Sequence, residues 1–182
     1  MSKKQFLSEF FKNRKEVGSV TPSSRFLVKK MLEPIDFESA KHILELGPGN
    51  GVITKELLKR AKADAVIYCF EMNPTFCEEL KVLDDKRLIV INDSAEKIGE
   101  HLLKYNCTAV DAVVSSLPFK VIPDEVEAVI MDEIVKHLRS GGSFSQYHYS
   151  RNGKKYKELF SEVETDFAAL NVPPAFVYKC RN

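Results

Sequence analysis

Residues 42–52, H-I-L-E-L-G-P-G-N-G-V, constrain the fold of this chain more than any other stretch. A short apolar run ends at Leu46 and is followed by three closely spaced glycines, Gly47, Gly49 and Gly51. The apolar residues that come next repeat at helical spacing. Glycine adopts positive φ readily, and it lets a ligand lie directly against the backbone. The stretch therefore predicts a buried strand, a tight turn that can cradle a ligand, and a helix.

The spacing of this turn and the nearby acids indicate what kind of ligand it holds. A dinucleotide fingerprint reads G-x-G-x-x-G, whereas here Gly51 comes one residue early. Glu45, two residues before the first glycine, would repel a phosphate and attract an ammonium group. About twenty residues further on, another apolar run ends in Glu71, where an acid can accept hydrogen bonds from both ribose hydroxyls. A ligand with a zwitterionic amino-acid moiety and a ribose fits better than a pyrophosphate.

With Asn92, Asp93 and Ser94 later in the chain, the turn resembles the cofactor site of class I methyltransferases that use S-adenosylmethionine (SAM). The resemblance implies SAM as the cofactor, with methionine against the glycines, ribose on Glu71 and adenine beside Met72 and Asp93. The other interpretation is a structural β–α turn that binds nothing. The implied cofactor residues are Glu45, Gly47, Pro48, Gly49, Gly51, Glu71, Met72, Asp93, Ser94 and Ser115.

Alternating apolar runs predict the fold class. The sequence predicts strands at 65–70, 88–92, 109–115 and 143–149, with Gly141-Gly142 turning the chain into the last of these. It predicts helices at 52–61, 74–83, 95–105 and 123–138, and a closing antiparallel pair at 163–170 and 175–180. This is an α/β, Rossmann-like doubly wound sheet of the class I methyltransferase type, mostly parallel with C-terminal antiparallel pairing. Ligands of such sheets bind outside the carboxyl ends of the strands.

Composition is consistent with one globular unit in a reducing compartment. The 182 residues are 44% hydrophobic and 29% charged, and no apolar run approaches the roughly 18 residues of a membrane span. The first 15 residues lack the apolar core of a secretory signal. Four scattered cysteines indicate neither a zinc site nor a disulfide framework. We expect a cytoplasmic protein that binds no metal.

The net charge of +1 conceals a basic N-terminus, because the first 30 residues hold eight of the 27 basic and two of the 26 acidic side chains. Residues 1–34 are predicted as a basic amphipathic arm and cap, and residues 35–182 as the SAM-binding domain. Phe6, Leu7, Phe10 and Phe11 share one helical face, which could lie in an anionic lipid interface. The same face could equally pack on the protein's own core. The first alternative predicts a peripheral protein of the inner membrane face.

Two segments resemble bacterial phospholipid N-methyltransferases. Residues 18–27, G-S-V-T-P-S-S-R-F-L, are similar to a stretch that lies over the SAM pocket in that family, which implies substrate contacts by Ser24 and Arg25. Residues 141–149 match its G-G-x-x-x-Q-x-x-Y pattern, which implies substrate contacts by Gln146, Tyr147 or Tyr149. Tyr147 ranks first, since strand alternation puts His148 on the opposite face. The alternative for the first segment is a capped helix with a solvated arginine.

A third segment, S-S-L-P-F at residues 115–119, resembles the S-G-L-P-x element of the same family and the N-L-P-F element of enzymes that methylate amines. Ser116 stands where those elements carry Gly or Asn. An Asn amide oxygen would accept a hydrogen bond from the target amino group of a base, so its absence argues against a nucleic-acid base as substrate. The candidate catalytic residues are Ser116, Pro118 and Tyr147. The alternative is an ordinary turn at the end of a strand.

These resemblances imply a SAM-dependent N-methyltransferase of a membrane phospholipid headgroup, with phosphatidylethanolamine as the first candidate. One alternative is an enzyme that methylates adenine N6 in ribosomal RNA. Another is a SAM-binding protein without transfer activity that binds lipid or nucleic acid.

Overall fold

A computed structural model describes residues 23–151 and 153–182. The predicted membrane face of Phe6, Leu7, Phe10 and Phe11 lies outside these residues. The elements in chain order are α1 (Arg25–Leu32), β1 (His42–Leu46), α2 (Val52–Arg60), β2 (Val66–Phe70), α3 (Pro74–Lys81), β3 (Leu88–Ile91), a 3₁₀ turn (Ala95–Lys97), α4 (Ile98–Lys104), β4 (Val110–Ser115), α5 (Asp124–His137), β5 (Leu138–His148), α6 (Tyr156–Leu159), β6 (Glu162–Ala168) and β7 (Ala175–Arg181).

The strands form one seven-stranded sheet in the order β3-β2-β1-β4-β5-β7-β6. The first five strands pair in parallel, and β7 lies antiparallel between β5 and β6. The strand order reverses at β1 and β4, so the carboxyl ends of these strands form the switch point where such sheets bind ligands. The predicted fold class and the closing antiparallel pair are confirmed.

Each face of the sheet carries its own apolar core. Leu44 and Leu46 pack with α4 and α5 on one face, whereas Ile43 packs with α1 and α2 on the other. Helix α1 contributes Leu27 and Met31, both fully buried, and burial of a side chain of this size stabilises the fold by roughly 1.5–3 kcal/mol. The helix that the sequence assigned to an N-terminal cap thus packs on the sheet. The domain boundary at residue 34 stays a prediction.

The start of β5 differs from the sequence prediction. Gly141 and Gly142 do not turn the chain into the strand but lie inside it, since β5 begins at Leu138. The pairing of β4 with β5 shifts register after Val110, so several residues of β5 form an irregular stretch. Gly141 adopts φ +71° there, as bulged strands often require. We expected a turn because a pair of glycines most often ends a helix or strand. Here the two glycines instead allow a bulge within β5.

No helix within residues 23–151 and 153–182 is both long enough and apolar enough to cross a lipid bilayer.

Candidate active site

The glycine turn between β1 and α2 has the backbone conformation that its sequence predicted. Gly47, Gly49 and Gly51 all adopt positive φ, between +55° and +79°. A Cβ on Gly51 would lie 2.9 Å from Leu80 Cδ2, and one on Gly47 would lie 3.1 Å from Leu117 Cδ2. The turn therefore needs glycine both for its backbone and for its close packing. It places the N-terminus of α2 at the carboxyl end of the sheet.

A hollow that is partly open to solvent lies beside this turn, with about 360 Å³ of empty space. Five of its lining residues are ones that the sequence assigned to the cofactor: Gly47, Glu71, Met72, Asp93 and Ser94. Its apolar lining comes from β2, the loop after β4 and one face of α5: Phe70, Leu117, Ile122, Val126 and Ile130. A slot with polar groups at one side and an apolar wall at the other suits a nucleoside.

Glu71 connects the hollow to the glycine turn. Its Oε2 accepts a hydrogen bond from the Gly49 backbone N–H at 3.0 Å, and its Oε1 accepts one from the Asn73 N–H at 2.8 Å. The residue is 2% exposed. A carboxylate has about four acceptor positions, so the same group can hold the turn and accept hydrogen bonds from ribose hydroxyls.

Asp93 is held at the rim of the hollow by the side chains of Lys97 and His101. Lys97 Nζ donates to its Oδ2 at 2.9 Å, and His101 Nε2 lies 3.0 Å from the same oxygen. The Ser94 backbone N–H donates to Oδ1. Partial burial raises the pKa of Asp93, but the hydrogen bonds from His101 and Lys97 outweigh it and bring the pKa to about 2. Asp93 is therefore an ionised acceptor at neutral pH.

Glu45 lies beneath the turn, on the side of β1 that faces α2. Cys69 Sγ donates to its Oε2 at 3.2 Å, and its Oε1 has no hydrogen-bond partner in the part of the chain that the structure describes. Complete burial and, to a smaller extent, the nearby Glu71 together raise the pKa of Glu45 to about 7. As far as the described residues show, Glu45 does not line the hollow. Its contact with the cofactor stays a prediction.

Three other predicted cofactor residues shape the turns around the hollow. Pro48 accepts a hydrogen bond from the Gly51 N–H through its carbonyl. Ser115 Oγ, at the end of β4, accepts one from the Leu117 N–H at 3.3 Å. Gly49 donates to Glu71, as described above. These residues set the backbone on which a ligand would lie.

The loop after β4 carries two of the three predicted catalytic residues, Ser116 and Pro118, and is held from two sides. The Ser116 N–H donates to Leu46 O at 2.8 Å, and Pro118 O accepts hydrogen bonds from the next turn. Gln146 Nε2 donates to Leu117 O at 3.0 Å and to Tyr147 O at 2.8 Å. Both hydrogens of this buried amide are thus used on backbone carbonyls. Gln146 Oε1 is buried without a partner among the described residues.

The remaining predicted substrate residues lie outside the hollow, at the same edge of the sheet. Tyr147 packs under α1, and its ring centroid lies 5.6 Å from that of the exposed Tyr149. Ser24 caps α1 through its Oγ, and the Arg25 guanidinium lies 4.9 Å from the Phe26 ring centroid. Ser24 and Arg25 therefore fit the capped-helix alternative at least as well as substrate contact.

His148 points away from these residues, as strand alternation predicted. Its Nε2 lies 2.7 Å from Tyr156 Oη within the opposite core. Burial and, to a smaller extent, the nearby Lys120 together lower the pKa of His148 to about 4. His148 is therefore a neutral side chain of the core at neutral pH.

Comparison with known proteins decides which family this site belongs to. The family model described as ribosomal RNA adenine dimethylase matches residues 10–121, more than half of the chain. The chain belongs to this family of SAM-dependent methyltransferases. Its cofactor is SAM, as the glycine turn and the strand-end acids predicted.

Relatives of this methyltransferase fall into two groups, enzymes that methylate a lipid and enzymes that methylate ribosomal RNA. An ornithine lipid N-methyltransferase of Singulisphaera acidiphila is 31% identical, and the match covers 97% of this chain and 94% of that protein. The ribosomal RNA small subunit methyltransferase A of Clostridium botulinum is 28% identical, with 73% of this chain and 48% of that protein covered.

A solved structure supports the fold of this methyltransferase. The Burkholderia thailandensis 1,6-didemethyltoxoflavin-N1-methyltransferase, bound to its substrate and S-adenosylhomocysteine, superimposes with a TM-score of 0.72. The two chains are 12% identical, and the match covers 100% of this chain and 91% of that one. This agreement concerns the fold alone.

Two kinds of residue at the site were not predicted from the sequence. Lys97 and His101, which hold Asp93, follow it by one and two helical turns, so i,i+4 spacing would have indicated the Lys97 pair. The apolar wall of Val126 and Ile130 looked like an ordinary core face of a helix. Only the packing of α5 over the hollow distinguishes it.

Proposed function

We propose that this methyltransferase transfers a methyl group from SAM to the primary amine in the headgroup of a membrane lipid. One observation carries the proposal: the lipid-methylating relative matches nearly the full length of both chains. The RNA-methylating relative extends well beyond the match, which covers about half of it. The segment that distinguishes the groups in sequence, S-S-L-P-F, also lacks the Asn of enzymes that methylate base amines.

Two headgroups fit the proposal, phosphatidylethanolamine and ornithine lipid. The segments at residues 18–27 and 115–119 favour the first, and the similarity to the Singulisphaera enzyme favours the second. Both present a primary amine a few bonds from an anionic group, a phosphate in one and a carboxylate in the other. Arg25, or Arg151 beyond β5, is positioned at the correct edge of the sheet to pair with either anion.

Methyl transfer requires alignment more than acid or base strength. SAM, when bound, supplies an electrophilic methyl group on a sulfonium sulfur. The chain must hold the nitrogen lone pair in line with the bond that breaks, at about 3 Å. The loop of Ser116 and Pro118 is suited to this, because Leu46 O and Gln146 Nε2 fix its backbone beside the turn at Gly47.

The amine must also lose a proton before it reacts. A primary ammonium has a pKa of roughly 10, so a nearby acceptor helps. Tyr147, on the face of β5 toward α1, and the buried acceptor Gln146 Oε1 are the candidates from β5. The Tyr147 hydroxyl can accept a hydrogen bond from the substrate ammonium while its proton leaves to water, and Gln146 Oε1 can accept a hydrogen bond that orients the ammonium but cannot take its proton.

Methylation of adenine N6 in RNA is the second candidate function, because the matching family model bears that description. A SAM-binding protein without transfer activity is the third. The presence of Gly47, Glu71 and Asp93 around one hollow supports an active enzyme over the third.

Transfer of a radiolabelled methyl group tests all three candidate functions. The protein is incubated with labelled SAM and detergent micelles of phosphatidylethanolamine, micelles of ornithine lipid, or ribosomal RNA, with Glu71→Ala as a control for the cofactor site. We expect label in one or both lipids and none in RNA. Label in RNA alone would overturn the proposal, and label in no acceptor would favour the non-catalytic binder.

A further inference from the structure

Exposed apolar side chains are concentrated at the edge of the sheet where the hollow opens. Of the eleven large apolar side chains that the described residues expose, six lie at this edge. Their elements meet there because α1 begins, β4 and β5 end, and the loop between β6 and β7 turns at the carboxyl end of the parallel strands. We name these six the apolar rim: Phe26, Val121, Tyr149, Phe167, Leu170 and Val172.

The tip of the apolar rim is aliphatic and extends furthest into solvent. Leu170 is 64% exposed and Val172 is 70% exposed, both in the loop between β6 and β7. Asn171 between them is buried, since its Oδ1 accepts the Ser24 N–H and its Nδ2 donates to Pro173 O. The tip is therefore fixed to α1, with its polar residue turned in and its apolar residues turned out.

Three segments at this edge contain no Asp or Glu: residues 115–123, 143–157 and 167–176. The first two carry exposed basic residues such as Lys120, Arg151 and Lys154. Arg151 and Arg25 lie over aromatic rings of the same edge. Each segment is bordered in sequence by an acid: Asp124 at the start of α5, Glu158 in α6, and Asp166, which pairs with Lys30 and Lys179.

We propose that the apolar rim docks on an anionic lipid bilayer, with Leu170 and Val172 among the acyl chains and the basic residues at the headgroups. Solvent-exposed aliphatic tips beside cations match the layered polarity of a bilayer. Single-stranded RNA is instead bound by stacking of bases on aromatic side chains. The rim includes the aromatic residues Phe26, Tyr149 and Phe167, but its most exposed part, Leu170 and Val172, is aliphatic and favours lipid. Docking in this way turns the mouth of the hollow toward the lipid.

This inference rests on the proposed function, because a lipid substrate gives the enzyme a reason to bind a bilayer. It does not depend on the predicted N-terminal membrane helix. Stable membrane association generally needs two signals. The apolar rim supplies one from the folded domain, and it also sets the orientation that an amine in the headgroup layer requires.

A pair of matched variants of the full chain tests the inference. Leu170→Ser with Val172→Ser removes the tip, and Leu103→Ser with Val82→Ser removes the same residue types from the opposite edge, where they are 66% and 82% exposed. Partition is measured by sedimentation with phosphatidylglycerol vesicles. We expect the first variant to bind at least about ten-fold more weakly and the second to change less than about two-fold.

The controls separate docking from folding and from catalysis. Both variants should keep the wild-type melting temperature, and Leu170→Ser alone replaces the double variant if it does not. The inference is overturned if the tip variant partitions onto vesicles like wild type, or if both variants lose vesicle binding equally. It is also overturned if the tip variant loses RNA binding but keeps vesicle binding. Methylation of micellar lipid reports the proposed function separately: its absence with intact wild-type docking would defeat that function and leave the docking surface standing.

Discussion

Glu71 shows how one side chain can order several parts of a site. Its carboxylate accepts hydrogen bonds from the glycine turn and from the start of α3, and its backbone bonds to β3 through Ile91 O and Asn92 Nδ2. It also lines the hollow. The position of Glu71 at a strand end was readable from the sequence. Its bond to the Gly49 N–H was not, because that contact depends on the paired strands.

Replacing Glu71 with Ala should weaken binding of S-adenosylhomocysteine by about 10- to 100-fold, since a hydrogen bond to a charged group contributes roughly 1.5–3 kcal/mol. Isothermal titration calorimetry measures the effect. Glu78→Ala, an exposed glutamate of α3, is the matched control and should bind normally. Wild-type affinity in Glu71→Ala would show that the ribose is held elsewhere.

Glu45 should make stability depend on pH, because burial raises its pKa from the usual 4.5 to about 7. Between these values the folded protein keeps a proton that the unfolded chain has released, so this contribution is complete below pH 4.5 and disappears as pH rises through about 7. The loss is roughly 3 kcal/mol at most. Urea unfolding of wild type and Glu45→Gln between about pH 5 and pH 8 measures it. A wild-type profile no steeper than that of Glu45→Gln would refute the assignment.

At the scale of elements, the site depends on contacts between loops that follow different strands. Gln146, at the end of β5, holds the loop after β4 through Leu117 O, a contact across 29 residues of chain. Leu117 in turn packs close to Gly47 of the turn after β1. The three strand ends thus form one continuous support for the reacting groups.

Gln146→Met should therefore lower kcat while leaving cofactor affinity almost unchanged. The side chain keeps its size but loses both donors to the loop, and a small displacement of aligned groups can reduce the rate by about 100-fold. Steady-state methylation and calorimetry with S-adenosylhomocysteine give the two quantities. A variant that lost both equally would indicate that Gln146 supports the cofactor site as well.

At the scale of the whole molecule, the active-site edge is the candidate membrane face, and the basic N-terminus is a candidate second contact. Helix α1 begins at this edge, so the first described residues lie beside the apolar rim. The hollow, the rim and the start of α1 therefore share one side of the described fold. This arrangement would concentrate the enzyme where its lipid substrate lies.

Phe10→Asp with Phe11→Asp should reduce partition onto anionic vesicles without lowering the melting temperature, if the N-terminal apolar face lies in lipid. Vesicle sedimentation and thermal unfolding monitored by circular dichroism give the two results. Raising the salt concentration should weaken binding of wild type, because basic residues contribute through screened electrostatics. A large drop in melting temperature would instead show that this face belongs to the protein core.

The sequence by itself determined the strand–turn–helix at residues 42–60, the succession of strands and helices along the chain, and the acids at the strand ends. Short-range sterics of glycine and the period of apolar residues are local properties that can be read from the chain. The tertiary structure decided that Glu45 is buried under the turn, that Gly141-Gly142 forms a bulge and that Gln146 holds the loop after β4. It also assembled the apolar rim from segments far apart in sequence. These features depend on strand register and on packing between distant segments, which no local pattern encodes.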